Sequence, residues 1–373
     1  MTKSSLTSGL KTCVVFSMTK DNHIFIKNIY YMLSYAFTNL NQSNYDEIAG
    51  EEFENIHDLM AAILSKGIAQ QLKQGLYKEY VPEREDLSVM RGKINMPGTI
   101  RHSLQHRQLL SCEFDNYSEN NLLNQIIKTC VTLLLKHGDV QEKYKSILKK
   151  EMLFLSNVQE IDPRTIRWSS IRFSRNNKTY RMLISLCQFI IEGMLITTEK
   201  GDYKLASFVD EQRMCRLYEK FILEYYSKEF PTLEAKAAQI DWAVDDGIRT
   251  MLPVMQSDIM LSDRKGNVLI IDAKYYSHTT QVQYDKHTLH SGNLYQIFAY
   301  VKNKEAELAK TELPHKVSGM LLYAGTDEEI QPHNSYMMSG NRIEVNTLDL
   351  NQAFGEIKKK LNGIAEDYFG IKH

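Results

Sequence analysis

The stretch Met255-Gln-Ser-Asp-Ile-Met-Leu-Ser-Asp-Arg-Lys-Gly-Asn-Val-Leu-Ile-Ile-Asp-Ala-Lys274 decides the reading of the fold. An apolar segment carries one carboxylate, Asp258. A polar turn follows from Ser262 to Asn267, and a second apolar run, Val268 to Ile271, ends in Asp272-Ala273-Lys274. Side chains alternate faces along a strand, so Asp272 and Lys274 share one face and Ala273 takes the other. Pairing the two segments as a hairpin around Gly266 brings Asp258 to the Asp272 end. Two carboxylates and an ammonium then occupy a small volume, a donor set that suits Mg²⁺ held together with a phosphate.

Flanking segments add polar residues in a consistent order. Leu294-Tyr-Gln-Ile-Phe-Ala-Tyr-Val301 reads as a helix with Gln296 and Tyr300 one turn apart on one face. Gln296 is a candidate contact for water, metal or phosphate, whereas Tyr300 reads as packing. Upstream, Met214-Cys-Arg-Leu-Tyr-Glu-Lys-Phe-Ile-Leu-Glu-Tyr-Tyr226 has apolar residues at helical spacing and carries Glu219. His278, His287 and His290 follow the second strand with no Cys nearby, which fits phosphate contact or solvation better than zinc.

Asp258, Asp272-Ala273-Lys274, Gln296-x-x-x-Tyr300 and Glu219, in this order of elements, resemble the PD-(D/E)XK nuclease signature. Ser257 stands where that superfamily usually has Pro. The segment Ile24-Phe-Ile-Lys-Asn-Ile-Tyr-Tyr-Met-Leu-Ser-Tyr-Ala-Phe37 and the helix Leu217-Tyr-Glu-Lys-Phe221 are similar to McrC proteins, the nuclease subunits of McrBC-type, modification-dependent (type IV) restriction systems. The resemblance implies Mg²⁺ bound by Asp258 and Asp272, with Glu219 as an extra acidic ligand. It implies catalysis by Asp258, Asp272, Lys274, Gln296 and Glu219 on double-stranded DNA. It also implies an McrB-like AAA+ GTPase hexamer as partner, which binds the GTP and is stimulated by this subunit.

Composition sets limits. The chain of 373 residues has 43% hydrophobic and 24% charged residues and a net charge of −1, an ordinary globular profile long enough for two domains. A protein that gripped DNA strongly by itself would be more basic, so DNA contact is local or shared with a partner. The five Cys at 13, 112, 130, 187 and 215 are scattered and never in C-x-x-C spacing. They point to a reducing cytoplasm and away from a zinc or iron–sulfur site. No apolar run is long enough to span a membrane, and residues 1–18 are too polar for a signal peptide. Met18-Thr-Lys20 repeats Met1-Thr-Lys3, so residues 1–17 read as a disordered extension before a natural start at Met18. No G-x-x-x-x-G-K-[ST] occurs; Arg91-Gly92-Lys93 lacks the leading Gly and the Ser/Thr. GTP is therefore not expected on this chain.

The expected fold is α/β: an α+β amino-terminal domain over 18–200 for partner docking, and a restriction-endonuclease-like PD-(D/E)XK domain over 205–373. Helices are expected over 24–40, 51–75, 118–137, 141–158 and 181–197, with strand over 77–100. The second half reads as helix 210–228, strands near 236–244, 251–261 and 267–274, helix 288–305, strands 317–324 and 340–346, and helix 348–365. Pro163 to Arg181 carries six basic residues and no acidic one, with Trp168, Phe173 and Tyr180 interleaved. It reads as a phosphate-tracking strip or as a charged surface with buried aromatic anchors. Two other functional readings remain. A non-catalytic adaptor that activates a AAA+ ring has no need to keep two carboxylates beside a Lys. A stand-alone DNA repair nuclease fits poorly with the near-neutral charge and the large amino-terminal half.

Overall fold

The computed structural model describes residues 20–21, 24–37, 51, 53–197, 203–206, 209–275, 280–283, 286–311, 313–325 and 332–371. The extension expected over 1–17 lies outside the described residues. The amino-terminal part contains α1 (Ile26–Ala36), α2 (Ile56–Gln74), β1 (Glu79–Leu87), α3 (Met96–Leu104), β2 (Leu110–Ser118), α4 (Leu122–Lys136), α5 (Glu142–Met152) and α6 (Tyr180–Met194). Local chemistry sets the boundaries. The side chains of Asn55, Asn95 and Asn121 each accept a backbone N–H at the start of a helix, which satisfies a donor that has no partner within the helix. The strand expected through residue 100 is corrected: Asn95 and Pro97 start a helix instead. The chain then returns as β2, which pairs antiparallel with all of β1 from Glu79↔Ser118 to Leu87↔Leu110.

The carboxy-terminal part runs α7 (Glu211–Glu229), β3 (Glu234–Lys236), β4 (Ile259–Ser262), β5 (Asn267–Lys274), α8 (Ser291–Ala309), β6 (Lys316–Ala324), β7 (Asn334–Met338), β8 (Asn341–Leu348) and α9 (Phe354–Phe369). The strands form one sheet in the order β7-β8-β6-β5-β4-β3. β3, β4 and β5 are antiparallel neighbours, and β5, β6 and β8 run parallel. The architecture is α/β. The β4–β5 turn is built on Asp263, whose Oδ1 accepts the N–H groups of Lys265 and Asn267, each at 2.9 Å. Gly266 closes the turn at φ 86°, with the Pro314 carbonyl 2.2 Å from where a Cβ would stand. Only glycine fits there.

Alternation along the strands feeds two apolar cores. Leu269, Ile271 and Ala273 of β5 face the large core that includes α7, while Val268 and Ile270 face the smaller core under α8. Helix α7 presents Met214, Leu217, Tyr218, Phe221, Ile222, Tyr225 and Tyr226 as one apolar stripe. Gly319 of β6 lets α8 approach closely, because a Cβ there would stand 2.8 Å from Ile297 and 2.7 Å from Val301.

The large core does not stop at the expected boundary near residue 200. It includes α1, α2, α4, α6, α7, one face of the sheet and α9. In α1, Tyr31 stacks on Phe354 at 4.1 Å and Tyr35 donates to Glu229 Oε1 at 2.5 Å. Tyr30, Met32 and Tyr35 are buried. They belong to the chain's own core, and Tyr31 and Tyr35 hold α1 to Phe354 and Glu229 of the carboxy-terminal half. Leu33→Ala is therefore expected to destabilise the chain by about 2–5 kcal/mol, measured by chemical denaturation. An unchanged midpoint would return α1 to the surface.

Candidate active site

Asp258 and Asp272 stand opposite each other because the hairpin register pairs Ile259 with Ile271. Asp272 lies on the face of β5 that it shares with Val268 and Ile270, toward α8, and Lys274 follows it on the same face. Both lie at the carboxyl end of β5, where it runs parallel to β6, a usual place for ligands in α/β sheets. Lys274 Nζ is 2.9 Å from Asp272 Oδ2. Asp258 Oδ2 accepts the Ala273 backbone N–H at 3.0 Å. From α8, Gln296 Oε1 accepts from Lys274 Nζ at 3.4 Å, and its Nε2 donates to the Tyr300 hydroxyl at 2.9 Å. The structure thus brings Asp258, Asp272, Lys274 and Gln296 together. Tyr300, read from the sequence as packing alone, also holds the Gln296 amide.

Glu219 reaches the same strand ends from α7, in the opposite layer. Burial raises the proton affinity of its carboxyl, Cys215 lowers it and the nearby Asp258 raises it. Cys215 was not foreseen: it donates to Glu219 Oε1 at 3.1 Å, one helical turn away. Burial and that carboxylate push the thiol up to about 12. Among the described residues, the carboxylates of Glu219, Asp258 and Asp272 do not place three ligand atoms within 4.8 Å of one another. Ser257 was also missed. It is fully buried and binds the Ala238 backbone through both its N–H (2.9 Å) and its hydroxyl (3.1 Å). Those bonds fix the chain just before Asp258, where a Pro would lack the N–H.

Other expectations are placed as follows. In the basic strip, Trp168, Ile171 and Phe173 pack on the large core, while Arg167, Arg172, Arg175 and Lys178 are exposed. Arg164 pairs with Asp162 at 3.2 Å. His278 lies outside the described residues, and the carbonyl of His290 accepts from Asn293 and Leu294 at the start of α8.

Asp272 is fully buried, and neither of its oxygens accepts an aligned hydrogen bond. Burial pushes its carboxyl up to about 7; Lys274 opposes this and Asp258 adds to it. Asp258 is raised as well, by burial first, against Lys274 and the Ala273 N–H. Two carboxyls this close bind a proton between them more readily than they share two negative charges. A divalent cation would replace that proton. Two opposed carboxyls, with the buried oxygens of Asp272 making no aligned hydrogen bond, are hard donors of the kind Mg²⁺ takes, so the residues present fit the ion.

A family model described as "McrBC 5-methylcytosine restriction system component" matches residues 14–324. The chain belongs to the McrBC family. "Type IV methyl-directed restriction enzyme EcoKMcrBC" of Escherichia coli (strain K12) is 29% identical over 355 residues, covering 92% of this chain and 97% of that protein. A refined half-complex from a tetradecameric assembly of Thermococcus gammatolerans McrB AAA+ hexamers with bound McrC has a chain of the same fold. The TM-score is 0.52 at 18% identity, over 93% of this chain and 78% of that one. Among the described residues, no helix is long and apolar enough to cross a membrane.

The raised carboxyl of Asp272 gives a signed expectation for this McrBC-family chain. Its proton leaves near pH 3.8 in the unfolded chain and near 7 in the fold. The folded chain binds more protons between these values. The stability contributed is therefore complete below about 3.8 and is lost as pH rises through about 7. In chelator, Asp272→Asn should raise the melting temperature relative to the parent at about pH 8 and change it little at about pH 4. Equal melting temperatures at the higher pH would show that burial does not raise this carboxyl.

Proposed function

We propose that this chain is the Mg²⁺-dependent DNA endonuclease subunit of a GTP-driven, McrBC-like restriction complex. The reading rests on one observation above all: a buried carboxylate, Asp272, without an aligned hydrogen bond, facing Asp258 and 2.9 Å from the Lys274 ammonium. A fold retained only as scaffold would lose stability by keeping such a group.

Asp258 and Asp272, with Glu219 approaching from α7, would hold Mg²⁺, which supplies Lewis acidity at the scissile phosphate and makes a bound water more acidic. The chain's own groups do the rest. Lys274 orients the attacking water and offsets charge that builds on the phosphate oxygens. Gln296, held by Tyr300, fixes the Lys274 ammonium over Asp272. Glu219 shares its buried layer with Cys215 and serves as a further ligand or as acceptor of the water proton. Water adds to phosphorus, the phosphorus–oxygen bond to the leaving strand end breaks, and that oxygen takes up a proton.

The partner is proposed as an McrB-like AAA+ GTPase hexamer. It binds the GTP, recognises methylated or otherwise marked double-stranded DNA, and is stimulated by this subunit in a reducing cytoplasm. Three features support a division of labour. The sequence contains no G-x-x-x-x-G-K-[ST] motif, its net charge is −1, and its amino-terminal part exposes apolar side chains. In and beside the β1–β2 ribbon, Tyr80 is 71%, Met90 61% and Met96 60% exposed, the composition of a protein contact. Docking is assigned to the part within 18–200 and cleavage to the part within 205–373, the two sharing one core.

Plasmid cleavage with the partner, GTP and Mg²⁺ tests this. Asp272→Ala and Lys274→Ala should each reduce cleavage by about a hundredfold or more, while GTP turnover by the partner stays stimulated. Near-parental cleavage by either variant would remove the site. Efficient cleavage by the parent chain alone, without nucleotide, would instead favour a stand-alone nuclease.

A further inference from the structure

A second constellation lies outside the candidate active site. His57, His137 and Asp139 each bring a ligand atom to within 4.8 Å of the others. His57 sits in the first turn of α2 and is 1% exposed. Its Nε2 lies 2.8 Å from the Ala206 carbonyl oxygen. A carbonyl only accepts, so Nε2 carries the hydrogen and donates it. With Nε2 donating, Nδ1 is the nitrogen left to offer a lone pair. That atom is buried and has no hydrogen-bond partner.

His137 ends α4 and is half-buried. Its ring lies on that of His57, with centroids 3.8 Å apart and planes 16° from parallel. Its Nδ1 accepts the Asp139 backbone N–H at 3.2 Å and is 3.9 Å from Asp139 Oδ2. Asp139 is exposed, so the cluster opens to solvent. The loop is tied to the start of α2: Asn55 donates to the Asp139 carbonyl and the Gln141 N–H donates to Asp58 Oδ1, each at 2.8 Å.

We propose that His57, His137 and Asp139 form a binding site for a divalent transition-metal ion of the zinc class, with water completing the coordination. Two imidazoles and one carboxylate suit such ions and not Mg²⁺, which takes oxygen ligands. The Ala206 carbonyl is the outer partner that orients a ligating imidazole through its other nitrogen. A metal lies in the plane of each imidazole it binds, so two stacked rings cannot share one. Binding therefore turns His137 out of the stack while His57 stays fixed. Gly138, between the two ligands, borders open space, with nothing within 4 Å of where its side chain would stand. The bound ion ties together the start of α2, the end of α4 and the chain that leads into α7. The site is separate from Asp258 and Asp272.

The test uses the full chain in excess Mg²⁺, which occupies oxygen-only sites, and titrates Co²⁺ as the probe. About one equivalent should bind with the intense visible bands of low-coordinate cobalt, Zn²⁺ should displace it, and Zn²⁺ should raise the melting temperature. His137→Asn with Asp139→Asn removes two of the three ligands and leaves His57 in place; where circular dichroism shows the parental fold, it should abolish the bands and the Zn²⁺ effect. Absence of saturable Co²⁺ binding, or binding that persists in the double variant, would overturn the proposal. His57→Asn adds a third reading where it folds: it should lose the ion even with His137 and Asp139 intact.

Discussion

Everything at the candidate active site depends on placing the Asp272 carboxylate in a strand that is buried on both faces. An ionised carboxylate without partners in such a position is costly. The chain meets the cost in part with Lys274 on the same face, and burial together with Asp258 raises the proton affinity of the carboxyl. The surrounding structure follows from that choice. The β4–β5 turn at Asp263 and Gly266 fixes the register that opposes the two carboxyls. Ser257 fixes the chain before Asp258. Gly319 lets α8 close on the sheet, so that Gln296 meets Lys274.

The same geometry explains why the site needs both layers of the fold. One face of β5 supplies Asp272 and Lys274 beneath α8, and the other face packs on α7, whose Glu219 and Cys215 arrive past the strand end. Because α7 also carries the stripe that packs against α1, the amino-terminal half is mechanically part of the site's support. Partner docking on the exposed β1–β2 ribbon would then act on a body whose core is continuous with the sheet. This gives a physical route by which an assembly could influence cleavage without a separate linker.

How much was legible follows from which signals are local. Strand β5 was placed to the residue over 267–274, since its apolar run, polar turn and terminal Asp-Ala-Lys are all sequence-adjacent. Helices α2 and α4 were legible through their apolar periodicity, and their capping Asn side chains fix where they start. Helix α3 was missed because strand-like residues before it masked the Asn95-Met-Pro97 start signal. Strand β2 was missed because its pairing with β1 spans the intervening helix. At the site, Asp258, Asp272 and Lys274 could be paired from alternation and turn position. The Cys215–Glu219 contact had only an i, i+4 spacing to announce it, and Ser257 only a departure from the expected Pro. The cover of the α1 aromatics, Phe354 and α7, was not legible because it lies far along the chain.

The central claim is that opposed Asp258 and Asp272 hold a divalent cation. Anomalous diffraction from crystals of the full chain soaked in Mn²⁺ tests it most directly. The account predicts an anomalous peak within bonding distance of oxygens from both Asp258 and Asp272, lost in Asp258→Asn. A well-ordered site without such a peak, or manganese confined to the His57, His137 and Asp139 cluster, would contradict it.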